Sequence, residues 1–70
     1  MDRIRVSSSN IKSVGYDQFS SYLEIEFHNG SVYLYRNVPE RVHERLMASS
    51  SKGTYFNGHI KGVYGYRKVR

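Results

Sequence analysis

Between Tyr22 and Pro39 the apolar and polar positions alternate, turn, and alternate again. Leu23, Ile25 and Phe27 alternate with Glu24, Glu26 and His28, the period of a strand with one buried face. Asn29-Gly30 then signals a hairpin, because glycine adopts positive φ without a Cβ clash. Val32 to Arg36 returns with β-branched and aromatic residues. Two registers fit. In a two-residue type I′ loop His28 faces Ser31, Phe27 pairs with Val32 and Ile25 with Leu34. Tyr33 and Tyr35 then share the solvent face with Glu24 and Glu26. In a three-residue loop with a bulge at Gly30, Phe27 faces Ser31, Ile25 faces Tyr33 and Leu23 faces Tyr35, so both tyrosines join the core face. A slip of one residue flips every side chain, and the two answers exclude each other. The bulged register removes two large rings from water and is favoured on that ground. It predicts a core Phe27, a core Tyr35, and a Leu34→Ser substitution that is nearly harmless.

The rest of the chain reads around this hairpin. Residues 11–17, IKSVGYD, form a first strand, in which Gly15 marks a bulge or a close backbone approach. With 22–28 and 31–36 it predicts a three-stranded antiparallel meander. Pro39 suits the first position of a helix, and Glu40 opposes the positive end of its dipole. Val42, Leu46 and Met47 form an apolar stripe that should cover the sheet, with His43 beside it, and the helix should end near Ala48 or Ser49. Ser51 is a suitable N-cap for a second short helix over about 52–59, in which Phe56 and Ile60 face the core together and Tyr55 lies beside them. Gly58 is placed to end that helix. Residues 1–6 read as a frayed tail or a short edge strand, and Gly62 to Arg70 as a short edge strand or a surface segment, flexible over 67–70. The fold class is therefore α+β: a three-stranded meander, two short helices and a basic extended C-terminal segment, within one domain over 1–70.

Size sharpens this picture. A chain of 70 residues buries only about 60% of its unfolded surface, so stability is marginal. With no cysteine, three phenylalanines and seven tyrosines, the rings must supply much of the core, and neither a disulfide nor a thiolate zinc site is available. No apolar run approaches the roughly 20 residues of a membrane span, and residues 1–10 lack the apolar segment of a secretory signal. The expected protein is soluble and cytoplasmic, with no membrane partner.

Charge is uneven. Residues 1–35 sum to −1 and residues 36–70 to +6, with no acidic side chain after Glu44. Such a basic half suits a polyanionic partner, although a net charge also serves solubility. His28, His43 and His59 lack metal-ligand spacing. Glu24 and Glu26 share a solvated strand face without a pocket. The serine clusters lack a base and a nucleophile elbow, and Gly58 to Gly62 lacks phosphate-loop spacing. The expectation is a non-enzymatic protein without metal or cofactor. What remains is Lys52, Lys61, Arg67, Lys68 and Arg70 with Tyr55, Tyr64 and Tyr66. Cations release counterions on meeting phosphates, and exposed rings stack unpaired bases. The competing reading makes Tyr55 and Tyr64 core or rim residues and the cations a solvated surface. Tyr33 and Tyr35 are read as core.

The order of the pieces resembles the KTSC domain family, found at the C-terminus of some lysyl-tRNA synthetases and alone in small bacterial proteins. The resemblance runs from Val6 to Val69. It rests on the Tyr33-Leu34-Tyr35 motif, the Leu23–Phe27 strand, the Val38-Pro39 helix start, Ser51-Lys52-Gly53, Tyr55-Phe56-Asn57 and the basic tyrosine-containing tail. In the family the residue between the two tyrosines is often polar; here it is Leu34. The resemblance brings no established activity and implies RNA binding through association with a synthetase. The expected function is therefore non-enzymatic RNA binding, to tRNA or a single strand, through Lys52, Tyr55, Lys61, Tyr64, Tyr66, Arg67 and Lys68. The alternative is a protein-interaction module that docks by its hairpin or a sheet edge. The sequence sets no oligomeric state.

Overall fold

The structure, a computed structural model, describes all 70 residues. Five strands form one antiparallel sheet in the order β1-β2-β3-β4-β5: Arg3–Arg5, Ile11–Asp17, Tyr22–Phe27, Val32–Tyr35 and Tyr66–Lys68. Helices α1 (Glu40–Ala48) and α2 (Lys52–His59) lie between β4 and β5 in sequence. The expected meander is the centre of this sheet. The count of three strands is corrected to five, because the chain ends add β1 and β5 at the two edges.

The central hairpin takes the bulged register. Leu23 faces Tyr35 and Ile25 faces Tyr33. The Phe27 amide donates to the Ser31 carbonyl at 2.9 Å and the Gly30 amide to the Phe27 carbonyl at 3.0 Å. Gly30 sits at φ 93°, where a Cβ would be strained. Asn29 closes the loop by accepting from the Ser31 amide at 2.9 Å.

The pairing puts Leu23, Ile25 and Tyr35 on the helix-covered face, in one cluster with Ile11, Val14, Val38, Val42, Leu46, Phe56 and Ile60. Two expectations about that face need correction. Phe27 is only half-buried: its ring meets Phe56 of α2 but stands at the margin of the helical cover. Leu34 points to the opposite face yet is only 9% exposed. Its cross-strand neighbours Glu24 and Arg67 flank it, so Leu34→Ser removes buried apolar surface.

Both edge strands have identifiable causes. Gly15 accommodates β1: a Cβ there would meet Arg3 Cγ at 3.0 Å and the Asp2 carbonyl at 3.1 Å. The bulge itself falls between Ile11 and Ser13, and it lets both Ile11 and Val14 face the core. On the outer face Glu26 ties the two ends of the chain together. Its carboxylate lies 3.8 Å from Arg3 Nε and 3.1 Å from Arg70 Nη2, and it accepts from the Ser13 hydroxyl at 2.7 Å. Glu24 takes Arg3 Nη1 at 2.9 Å.

The Ser13 hydrogen bond, helped by Lys12, Arg3 and Arg70, holds the Glu26 carboxyl below the usual glutamate range despite some desolvation. A carboxylate with a lowered folded-state pKa contributes stability that is present above its unfolded pKa and lost as pH falls through its folded one. Glu26→Gln is therefore expected to lower the urea midpoint at pH 7 and to shrink the loss of stability between pH 7 and pH 3. Parallel pH dependence in parent and variant would show that the two end strands are not held through this carboxylate.

The helices depart slightly from their predicted limits. Pro39 occupies the cap position and α1 starts at Glu40. Ser51 is the residue before α2, but its hydroxyl donates to Thr54 Oγ1 at 2.8 Å and does not cap a backbone amide. The helix runs past Gly58 to His59 and ends at Ile60. The Tyr16 hydroxyl donates to the Val38 carbonyl at 2.6 Å and fixes the link from β4 to α1. No helix is long and apolar enough to cross a membrane.

Candidate nucleic-acid interface

Short helices leave part of the sheet uncovered, and the aromatic residues collect there. Phe27 meets Tyr33 edge-on, with ring centres 5.7 Å apart. Phe56 from α2 meets Phe27 and Tyr35, each at 5.5 Å. Tyr66 from β5 stacks on Tyr33 at 5.5 Å and leans on Tyr35 at 5.6 Å. Phe27, Tyr33, Tyr35 and Phe56 floor an open groove of about 340 Å³. Asn10, His28, Asn57 and Lys61 stand around its rim. His28 Nε2 donates to the Ser8 carbonyl at 2.9 Å, which fixes the ring.

Of the residues expected to form the interface, three come together. Lys61 lines the groove. Tyr66 keeps 55% of its surface exposed while extending the ring cluster. Lys68 is the cross-strand neighbour of Tyr33 and shares its face. The others stand apart. Arg67 faces Leu34 on the opposite side of the sheet, because successive residues of a strand alternate in direction. Lys52 donates to the Ser49 carbonyl at 2.9 Å and borders a separate, wholly polar hollow beside Ser8 and Ser51. That hollow shares Asn10 and Asn57 with the groove. Tyr55 stacks on His59 at 4.5 Å and packs against the core, as does Tyr64. Both tyrosines are therefore rim residues.

Phe27, Tyr33, Asn10, His28 and Asn57 were absent from the sequence-derived interface. The two aromatic residues follow the strand period, which is the signal of a core face; Asn10 and His28 sit in loops, and Asn57, although part of the Tyr55-Phe56-Asn57 stretch, has neither charge nor ring to mark it. His43, by contrast, serves the fold. It stacks on Tyr16 at 4.6 Å with the rings 8° from parallel. Burial holds its imidazole below the usual histidine range against the opposing pull of Glu40 and Glu44.

The hairpin offers no free edge for a partner strand. β3 is paired with β2 and β4 with β5. The open edges are the three-residue strands β1 and β5, which carry Arg3, Arg5, Arg67 and Lys68, and short cationic edges discourage strand addition.

Residues 7–64 match the family model of the KTSC domain. A crystal structure of a KTSC domain protein from Yersinia pestis superposes with a TM-score of 0.93 and 47% identity, covering 99% of this chain and 97% of that one. An uncharacterized protein of Stutzerimonas stutzeri is 40% identical over 57 residues, 81% of this chain and 80% of its own. A lysine–tRNA ligase of Nostoc punctiforme is 41% identical over 66 residues, which are 94% of this chain but 12% of the ligase.

Proposed function

The chain belongs to the KTSC domain family, and from that premise we propose that it is a non-enzymatic RNA-binding domain whose interface is the aromatic groove and its lysine rim. One observation carries the reading: Tyr33 and Tyr66 stack on a sheet face that also carries Lys68, and Lys61, from the turn after α2, stands at the rim of the groove beside them. Rings of this kind accept the faces of unpaired bases, and cations beside them accept phosphates. The net charge of +5 favours the approach of a polyanion. Kinship with the C-terminal part of lysine–tRNA ligases supports RNA as the polyanion, since those relatives are named for a reaction on tRNA. The interface as proposed keeps Lys61, Tyr66 and Lys68 from the sequence reading, adds Phe27 and Tyr33, places Tyr55 and Tyr64 as rim residues, and leaves Lys52 and Arg67 outside it.

Binding of the purified protein to a labelled single-stranded RNA, followed over a series of salt concentrations, tests this. Affinity is expected to fall steeply with salt, and replacing Lys61 and Lys68 together with alanine should reduce the slope by about 1.4 units, the value for two phosphate contacts on a single strand. Their removal should leave the fold intact, because exposed charges contribute little to stability. Binding indifferent to both salt and the double substitution would favour a protein-docking role. Absence of binding at low salt would end the RNA reading.

A further inference from the structure

The groove holds one polar group that the fold leaves unused. Tyr35 is 3% exposed, with its ring packed edge-on against Phe56. Its hydroxyl has no hydrogen-bond partner within the protein, yet no fully enclosed side-chain polar atom anywhere in the molecule lacks one. The hydroxyl therefore keeps an opening, and the space Tyr35 lines is the groove. Burial, with smaller contributions from Tyr33 and Tyr66, pushes the phenol up to about 12, so it stays protonated and can donate. A hydroxyl with no protein partner and only a small opening to water makes fewer hydrogen bonds than it would in bulk water. Phenylalanine would fill the same space without that loss. The hydroxyl thus points to a ligand and not to packing.

The groove's other dimensions narrow the ligand. About 340 Å³ lies at the small end of the range for enclosed ligands, room for one nucleoside-sized group. Phe27 and Tyr33 offer half-exposed rings. Asn10 and Asn57 offer amides that both donate and accept, matching the mixed edge of a base. Lys61 supplies a cation at the same rim. A base within a duplex presents neither its face nor its pairing edge, whereas an unpaired one presents both.

We propose that the groove receives one unpaired base of single-stranded RNA, stacked on one of the perpendicular Phe27 and Tyr33 rings and edge-on to the other, with the Tyr35 hydroxyl and the Asn10 and Asn57 amides meeting its edge and Lys61 the adjoining phosphate. This rests on the RNA-binding reading and adds to it a single-strand requirement and the groups that read the base.

The test uses a mixed-sequence RNA of about ten nucleotides, within the span one small domain covers, offered alone and annealed to its complement at low salt. The single strand is expected to bind more tightly than the duplex. Tyr35→Phe should weaken the single strand about three- to tenfold, the effect of one lost hydrogen bond. It should leave duplex affinity and thermal stability no lower than in the parent. Asn57→Leu should change the ranking among poly-A, poly-U and poly-C strands without changing the salt slope. Parent-like single-strand binding by Tyr35→Phe, a melting temperature lowered by that substitution, or a duplex bound at least as tightly as the strand would each overturn the inference. The first and last of these leave the domain a phosphate binder. Failure of the parent to bind either probe would instead overturn the RNA-binding reading on which the inference stands.

Discussion

Leu46→Ala is expected to remove a large share of the protein's stability, about half of it. Leu46 is fully buried and Val42 is the only other buried residue of α1. A nine-residue helix is too short to persist in water without tertiary packing, so its attachment to the sheet depends chiefly on these two side chains, with Met47 and His43 adding half-buried contacts. Truncating a buried leucine to alanine costs about 2–5 kcal/mol, more where the site cannot collapse around the cavity. Small domains hold only about 0.05–0.15 kcal/mol per residue, which for this chain is roughly 4–10 kcal/mol in total. At the middle of both ranges the substitution takes about half the stability. Urea unfolding followed by circular dichroism should show a midpoint shifted far down or no cooperative transition. Arg41→Ala, on the exposed side of the same helix, should change stability by no more than about 0.5 kcal/mol. Equal midpoints for Leu46→Ala and Arg41→Ala would mean that α1 does not seal the core.

The largest effect on binding is expected from Tyr33→Ala. Tyr33 stands in the middle of the exposed cluster, with Phe27 on one side and Tyr66 on the other. Losing one stacking ring costs about 1–3 kcal/mol, or roughly five- to 150-fold in affinity for a single strand. The ring is only half-buried, so a folded variant should remain for the measurement, as its circular dichroism would verify. Arg67→Ala is the matching control. It removes a cation from the opposite face and should reduce affinity far less. A greater loss from Arg67→Ala than from Tyr33→Ala would place the interface on the wrong side of the sheet.

These two effects separate what the sequence could reveal from what it could not. The hairpin was legible down to its register. Alternation from Leu23 to Phe27, the Asn29-Gly30 turn and two tyrosines spaced by two leave only two pairings, and the area of the rings decides between them. The edge strands were legible only as one of two alternatives for each chain end. Arg3–Arg5 and Tyr66–Lys68 are three residues each, too short to show a period. Their pairing depends on tertiary features: the space left by Gly15 and the carboxylate of Glu26 between Arg3 and Arg70. Arg67 was grouped with Lys68 for a related reason, since the face of a residue in so short a strand is fixed only by its register with β4.

The groove escaped notice because periodicity shows which side of a strand faces inward and not whether anything covers it. Phe27, Tyr33 and Tyr35 all belong to the inward face. Helices of nine and eight residues cover only part of a five-stranded sheet. Tyr35 falls under that cover, whereas Phe27 and Tyr33 remain half-exposed at its margin. Asn10 and Asn57, far apart in sequence, meet at the same rim only because the loop before β2 lies beside α2.

The most direct test of the central claim is a titration of the isotopically labelled protein with a short single-stranded RNA, followed residue by residue through amide and aromatic NMR shifts. The account predicts concentration-dependent shifts at Phe27, Tyr33, Asn57, Lys61 and Tyr66, with the outer face at Arg5, Ser13 and Glu24 unmoved. Shifts confined to that outer face, or none at a large excess of RNA in low salt, would contradict it.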